Sequence, residues 1–256
     1  MIRFAESRLK IEWAKKHISD IDAAVVRFTS SEDFYTLYIE HDKRQRTNHL
    51  RFEIHEERFP KNDLALMIGD VVHNLRSALD LAWYEVVFNG EGTPTKWTRF
   101  PIRDTSEELM GPLTAALKEK MISLAVAKLI LETIKPHSAG NIFLWGLDDL
   151  NIRDKHQLLI PVLKLMRFLG IRLENEKGKL IYPDQLWFMD ASCSIRLREA
   201  DDMLVTIKDK GRATATILFD LGIPFEGEAI IPTLHRISEA VAGTIEAFEI
   251  LLAETP

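Results

Sequence analysis

The sequence predicts an α+β protein: a helical bundle with an N-terminal β-hairpin and an antiparallel β meander inserted before the C-terminal helix. Three observations predict it. Apolar residues recur at helical spacing at both ends of the chain and through its middle. Tyr35, Leu37 and Ile39 alternate with polar neighbours, as do Leu50, Phe52 and Ile54 beyond a polar loop. From residue 162 to 225, short β-rich pieces alternate with turn pairs such as Lys177-Gly178, Pro183-Asp184 and Lys210-Gly211.

The first helix is expected over 1–30, with Leu9, Trp13, Ile18, Ile21, Val25 and Phe28 as its apolar positions, ending near "TSSED". The hairpin occupies 34–59 and is closed by Pro60. The run "DKRQR" at its tip reads as a solvated turn. Residues 62–160 form the helical core. Its first member runs from about Asp63 to Phe88, with Asn62 as N-cap and Asp63 in the first turn, where the helix dipole favours an anion. "NGEGTPT" breaks it and "WTRFPI" is extended. A second helix is expected over Leu117–Ile134 and a third from Asn141 to about Leu159, before Pro161. Strands fill 162–225. The last helix covers 229–254, with Pro232 near its first turn and Ile237, Val241, Ile245, Phe248 and Leu252 as its core stripe. Because both terminal helices need the same kind of apolar partner, one compact unit over 1–256 is expected.

Composition narrows the class. With 46% hydrophobic and 28% charged residues the chain is built to fold rather than remain disordered. A net charge of −6 argues against a general basic coat for nucleic acid. The single cysteine, Cys193, excludes an internal disulfide and a thiolate zinc cluster, which fits a reducing cytoplasm. The charged start has no apolar core of a signal peptide, and no stretch is apolar enough for a membrane span.

Two helical stretches carry unusual polar residues. In "IGDVVHNLRSALDLAW" the positions Leu64, Ile68, Val71, Val72, Leu75, Leu79 and Ala82 share one face. Asp70, His73, Asn74, Ser77, Asp80 and Tyr84 lie opposite, with Arg76 at the border. A solvated helix face is normally made of Lys, Glu, Gln and Arg. Asp, Asn, Ser and His each cost roughly 0.5 kcal/mol relative to alanine, because they compete for backbone hydrogen bonds. A hydrogen-bonded seam against another helix would offset that cost. The second stretch, "LDDLNIRDKHQLL", places Asn151 and Asp154 within the arc of Leu147, Leu150 and Leu158, with Lys155 at its edge and His156 beyond. A carboxylate on such a face needs a cation, and Arg76, His73 or Lys155 can supply it. The two helices are therefore expected to pack together.

Three readings of this seam stay open. In the first it is structural, within a non-catalytic binding or assembly protein whose meander is the interaction surface. In the second it is catalytic toward RNA without a metal: His73, Arg76, Asp154, Lys155 and His156 supply base, acid and cation, and Asp70, Asn74, Ser77, Asp80 and Asn151 bind around them. In the third the bundle holds a small molecule or an ion through Asp70 and His73 at i, i+3, although no Glu-x-x-His pair is present. No metal site and no cofactor is expected. The partners to be expected are RNA or another protein, including a second copy of this chain. Trp83, Trp97, Trp145 and Trp187 are assigned to the core or the seam.

"GDVVHNLRSALDLAWYEV", "FPI" and "LDDLNIRDKHQLL", in that order, resemble the motifs of a family of uncharacterised bacterial cytoplasmic proteins. That family's pattern is Gly-Asp-x-x-His-Asn-Leu-Arg-Ser-Ala-Leu-Asp-His-Leu-Ala, then Phe-Pro, then Leu-Asn-x-x-Asp-Lys-His-Arg. Gln157 stands where the pattern ends in Arg. The first motif is also similar to the Arg-x4-6-His signature of HEPN ribonucleases of stress and defence. The resemblance implies that Arg76 acts on RNA, but Leu81 stands where that signature has its histidine. On this reading His73 or His156 would have to substitute.

Overall fold

The computed structural model describes residues 4–31, 34–88, 93–94, 98–181, 186–188, 192–198 and 203–254. Most of the expected 89–95 break, Trp97, the Pro183-Asp184 turn and the side chain of Trp187 lie outside them. The α+β class is found: the described residues form six α-helices, with an N-terminal hairpin, small antiparallel sheets and a long final helix.

The chain divides into two compact units, each built from separate stretches. The first comprises Met1–Ile21, Asn62–Ile160 and Phe219–Pro256, and the second Asp22–Lys61 and Pro161–Leu218.

In the first unit α2 spans Lys61–Phe88, α3 Ser106–Lys118, α4 Leu124–Lys128, α5 Ile142–Asp154 and α6 Ile230–Glu254. Helix α2 starts before Asn62, so that residue lies inside the helix rather than capping it. Its expected apolar face is fully buried, and Asn74 from the polar side and Arg76 from the border are buried too. The expected helix over 117–134 is two elements. α3 ends at Lys118, and α4 continues into a π-helical stretch, Leu129–Ile134, closed by Lys135 in the left-handed conformation. α3 begins at a Thr105 cap whose hydroxyl accepts from the Glu108 N–H, and it carries Pro112 within it.

Helix α5 is capped by Asn141, which accepts from Leu144 N–H at 3.2 Å. It ends at Asp154, not near Leu159: the N–H groups of His156 and Gln157 both turn back to the Arg153 carbonyl. Leu158 is accordingly exposed. In the α6 stripe Ile237, Val241, Ile245 and Phe248 are buried as the periodicity requires, while Leu252 is half-buried.

Helix α1, Ala5–Thr29, buries Ile18, Ile21, Val25 and Phe28 as expected, but not the two expected positions nearest its start. Leu9 and Trp13 are 70% and 51% exposed. Ser7, Ile11, Ala14, Ile18, Ile21, Val25 and Phe28 are buried in an alternating four-and-three step, with Thr29 buried beside the last. Trp13 instead packs on its own helix, edge-on to His17 and under Lys16.

In the second unit the hairpin pairs β1, Tyr35–Asp42, with β2, Thr47–Ile54, in the register Tyr35↔Ile54 to Asp42↔Thr47. Asp42 tightens the turn by accepting from the N–H groups of Arg44 and Gln45, which hold its carboxyl below the ordinary range. The expected meander is antiparallel, but its pairing is nested rather than sequential. β3, Val162–Leu169, pairs on one side with β6, Leu186–Phe188, and on the other with β9, Arg212–Leu218. β4, Arg172–Asn175, lies between β5, Leu180–Ile181, and β8, Val205–Asp209. β7, Ser192–Arg196, joins the hairpin beside β2. The β3–β4 and β8–β9 stretches therefore form one bent ribbon. Gly170 and Gly211 sit at the bend with φ of 75° and 73°, a conformation only glycine adopts without strain. Phe28, Phe34, Tyr35, Phe52 and Phe168 form an aromatic core with centroids 4.6 to 5.7 Å apart.

Candidate functional site

The site begins with Arg76, whose position on α2 faces α5. Its Nε donates to Asp148 Oδ1 at 2.6 Å, Nη1 to Asp80 Oδ1 at 2.5 Å and Nη2 to the Phe100 carbonyl at 3.0 Å. Asp80 Oδ1 also accepts from the Phe100 N–H at 2.9 Å. Residue 100 is thus held through both backbone groups, while its ring is buried against Trp83 and Phe248. All three sequence motifs meet here: Arg76 and Asp80 from the first, Phe100 from the second and Asp148 from the third.

Arg76 is 7% exposed, and two carboxylates neutralise it. A guanidinium so held is a structural tie rather than an anion clamp, because a ligand would first have to displace a carboxylate. Sequence reasoning missed Asp148. The doublet Asp148-Asp149 was the available signal: Asp149 pairs locally with Arg153 at 2.6 Å, which leaves Asp148 to face α2.

Asp154 does not pair with Arg76. Its carboxylate lies over Gly69 of α2, at 2.6 Å from where a Cβ at that position would stand. Burial raises its pKa above the ordinary carboxylate value, the neighbouring Asp70 raises it further, and His73 opposes them. Two helix–helix contacts, 69 with 154 and 76 with 148, therefore run in opposite directions along the two helices: α2 and α5 pack antiparallel.

Beside this seam opens a cleft of about 570 Å³. His73, Arg76, Ser77 and Asp80 of α2 line one side, and Asp148, Asn151, Ile152 and Lys155 of α5 the other. Its rim adds the 99–103 segment and Pro112 of α3. Of the expected catalytic set, His73, Arg76 and Lys155 share the cleft. Asp154 and His156 do not line it, and His156 is exposed past the end of α5. Of the expected binding set, Ser77, Asp80 and Asn151 line it. Asp70 is exposed outside it, and Asn74 turns away to accept from Lys10 Nζ at 3.0 Å. Leu81 is not on the lining either. Arg99 and Arg103, which no motif flagged, are exposed on the rim.

Arg99, Arg103 and Lys155 make no ion pair among the described residues, whereas Arg76 is balanced within the seam. The cleft therefore presents free positive charge in a protein whose net charge is −6. Trp83 is core, and Trp145 donates Nε1–H to Asp104 at 2.8 Å beside a smaller pocket. Among the described residues no three His, Cys, Asp or Glu gather as metal ligands, and no helix is long and apolar enough to cross a membrane.

Comparison with protein-family profiles, curated proteins and solved structures finds no match to this chain.

Proposed function

We propose that this is a non-catalytic binding protein in which the seam is structural and the adjoining cleft receives an anionic ligand. The observation that carries the reading is the division of labour among its cations. Arg76 is buried and committed to Asp80, Asp148 and Phe100, while Arg99, Arg103 and Lys155 stand around the opening with no ion pair among the described residues, Arg103 donating only to the Ile102 carbonyl. A cation held in place by carboxylates builds a wall, and exposed cations over that wall bind phosphate or carboxylate groups.

The alternative, a HEPN-like ribonuclease, draws support from His73 and Lys155 sharing the cleft with Ser77, which lies 3.5 Å from His73 Nε2. One experiment separates the two. The full chain is incubated with a short single-stranded RNA, and both binding and strand integrity are followed. The binding reading expects intact RNA, or none bound, and saturable binding of pyrophosphate that a combined Arg99→Glu and Lys155→Glu variant loses. RNA cleavage that disappears in His73→Ala would overturn it in favour of the ribonuclease.

A further inference from the structure

The second unit contains a larger groove, about 730 Å³, whose walls are unlike each other. One wall is α1 from Asp22 to Thr29 together with Ser30 and Ser31. The other is the Lys210-Gly211 turn and the start of β9. β9 pairs with β3 on one side and, among the described residues, with no strand on the other. A helix satisfies its own backbone, so α1 cannot complete that edge. The backbone groups of β9 turned away from β3 thus have no strand partner among the described residues, and residues 212–215 of that strand line the groove. Ala213, Thr214 and Ala215 leave them accessible because their side chains are small. Tyr35 fixes the turn by donating its hydroxyl to the Lys210 carbonyl at 2.9 Å.

The charges beside this edge are also unpaired. Lys210 and Arg212 are exposed and have no ion pair among the described residues. The nearest acid in sequence, Asp209, is already engaged by Arg172 and by the Gly211 N–H. On the lining itself Asp22 is the one acid against these two bases.

We infer that this groove binds an acidic, extended peptide that adds as a strand to β9, its backbone pairing with residues 212–215 and its carboxylates meeting Lys210 and Arg212. Main-chain pairing supplies affinity, and the two cations select the sequence. This site is separate from the cleft in the helical unit, and its failure leaves that reading intact.

The test is fluorescence anisotropy of the full chain with a labelled hexapeptide of alternating Val and Glu. Saturable binding is expected, weakened at least about tenfold by a combined Lys210→Glu and Arg212→Glu variant, whose side chains are exposed. N-methylation of alternate peptide nitrogens should cost at least about tenfold as well, because it removes the strand hydrogen bonds. A peptide with Lys in place of Glu should not bind. The proposal is overturned by any of three results: no saturation at millimolar protein, affinity that survives both charge reversal and N-methylation, or chain dimerisation that the peptide fails to compete.

Discussion

The carboxylate of Asp154 occupies the space that a side chain at position 69 would need: a Cβ there would lie 2.6 Å from both of its oxygens. Gly69 thus leaves room on α2 for the Asp154 carboxylate of α5, and its backbone flexibility is incidental. The two residues should be energetically coupled. In the native chain Gly69→Ala must displace the Asp154 carboxylate, the far end of a half-exposed side chain, so the helix gain of alanine should be reduced there. In an Asp154→Ala background the same change should stabilise by roughly 0.5–1 kcal/mol, the ordinary helix preference for alanine over glycine. Urea unfolding of the four proteins measures this, and equal effects in both backgrounds would refute the coupling.

The raised pKa of Asp154 has a definite sign for stability. Its acid is favoured in the folded state by burial first and then by Asp70. Folding is therefore assisted below the unfolded carboxylate pKa, and that assistance is lost as pH rises through the higher folded value. At neutral pH the ionised Asp154 is a burden, so Asp154→Asn should raise Tm. The gain should shrink as pH is lowered into the carboxylate range. A constant difference across that range would show that Asp154 does not titrate as argued.

The Arg76 tie should be costly to break from the arginine side. Arg76→Leu leaves Asp80, Asp148 and the Phe100 carbonyl without their donor, and about 3 kcal/mol or more should be lost. Asp148→Asn should cost less, since Arg76 keeps Asp80 and Asp148 is a quarter exposed. Chemical denaturation of the pair checks the order. If the asparagine variant proves the weaker of the two, the tie is not centred on Arg76.

Gly170 and Gly211 share a left-handed backbone but not their surroundings. A Cβ at 170 would meet open space, so Gly170→Ala should cost only the strain of that conformation, about 1–2 kcal/mol. A Cβ at 211 would run into the Leu169 carbonyl and the Ile171 amide, backbone atoms that cannot swing aside. Gly211→Ala should therefore lose clearly more, and thermal unfolding of the two variants reads the difference directly.

Local chemistry made much of this protein legible. Period-two alternation fixed the hairpin, 3.6-residue periodicity fixed α2 and α6, and the expensive polar residues of the two motif helices pointed to the seam between them. Each signal is local, since a residue's immediate neighbours decide whether its side chain is compatible with helix or strand. The tertiary structure decided the rest. Trp13 reads as core by type but is exposed, because burial depends on which helix face meets a partner. Spacing pointed to Asp154 as the mate of Arg76, and only the antiparallel approach of α2 and α5 sets 148 opposite 76 and 154 opposite 69. The end of α5 was equally hidden: its backbone turns at Arg153 and strands His156 outside the cleft. Strand order followed the same logic. Type and turn residues predict that strands exist, while pairing between β3 and β9, far apart in sequence, is settled by the bend at two glycines and by the long-range contacts they permit.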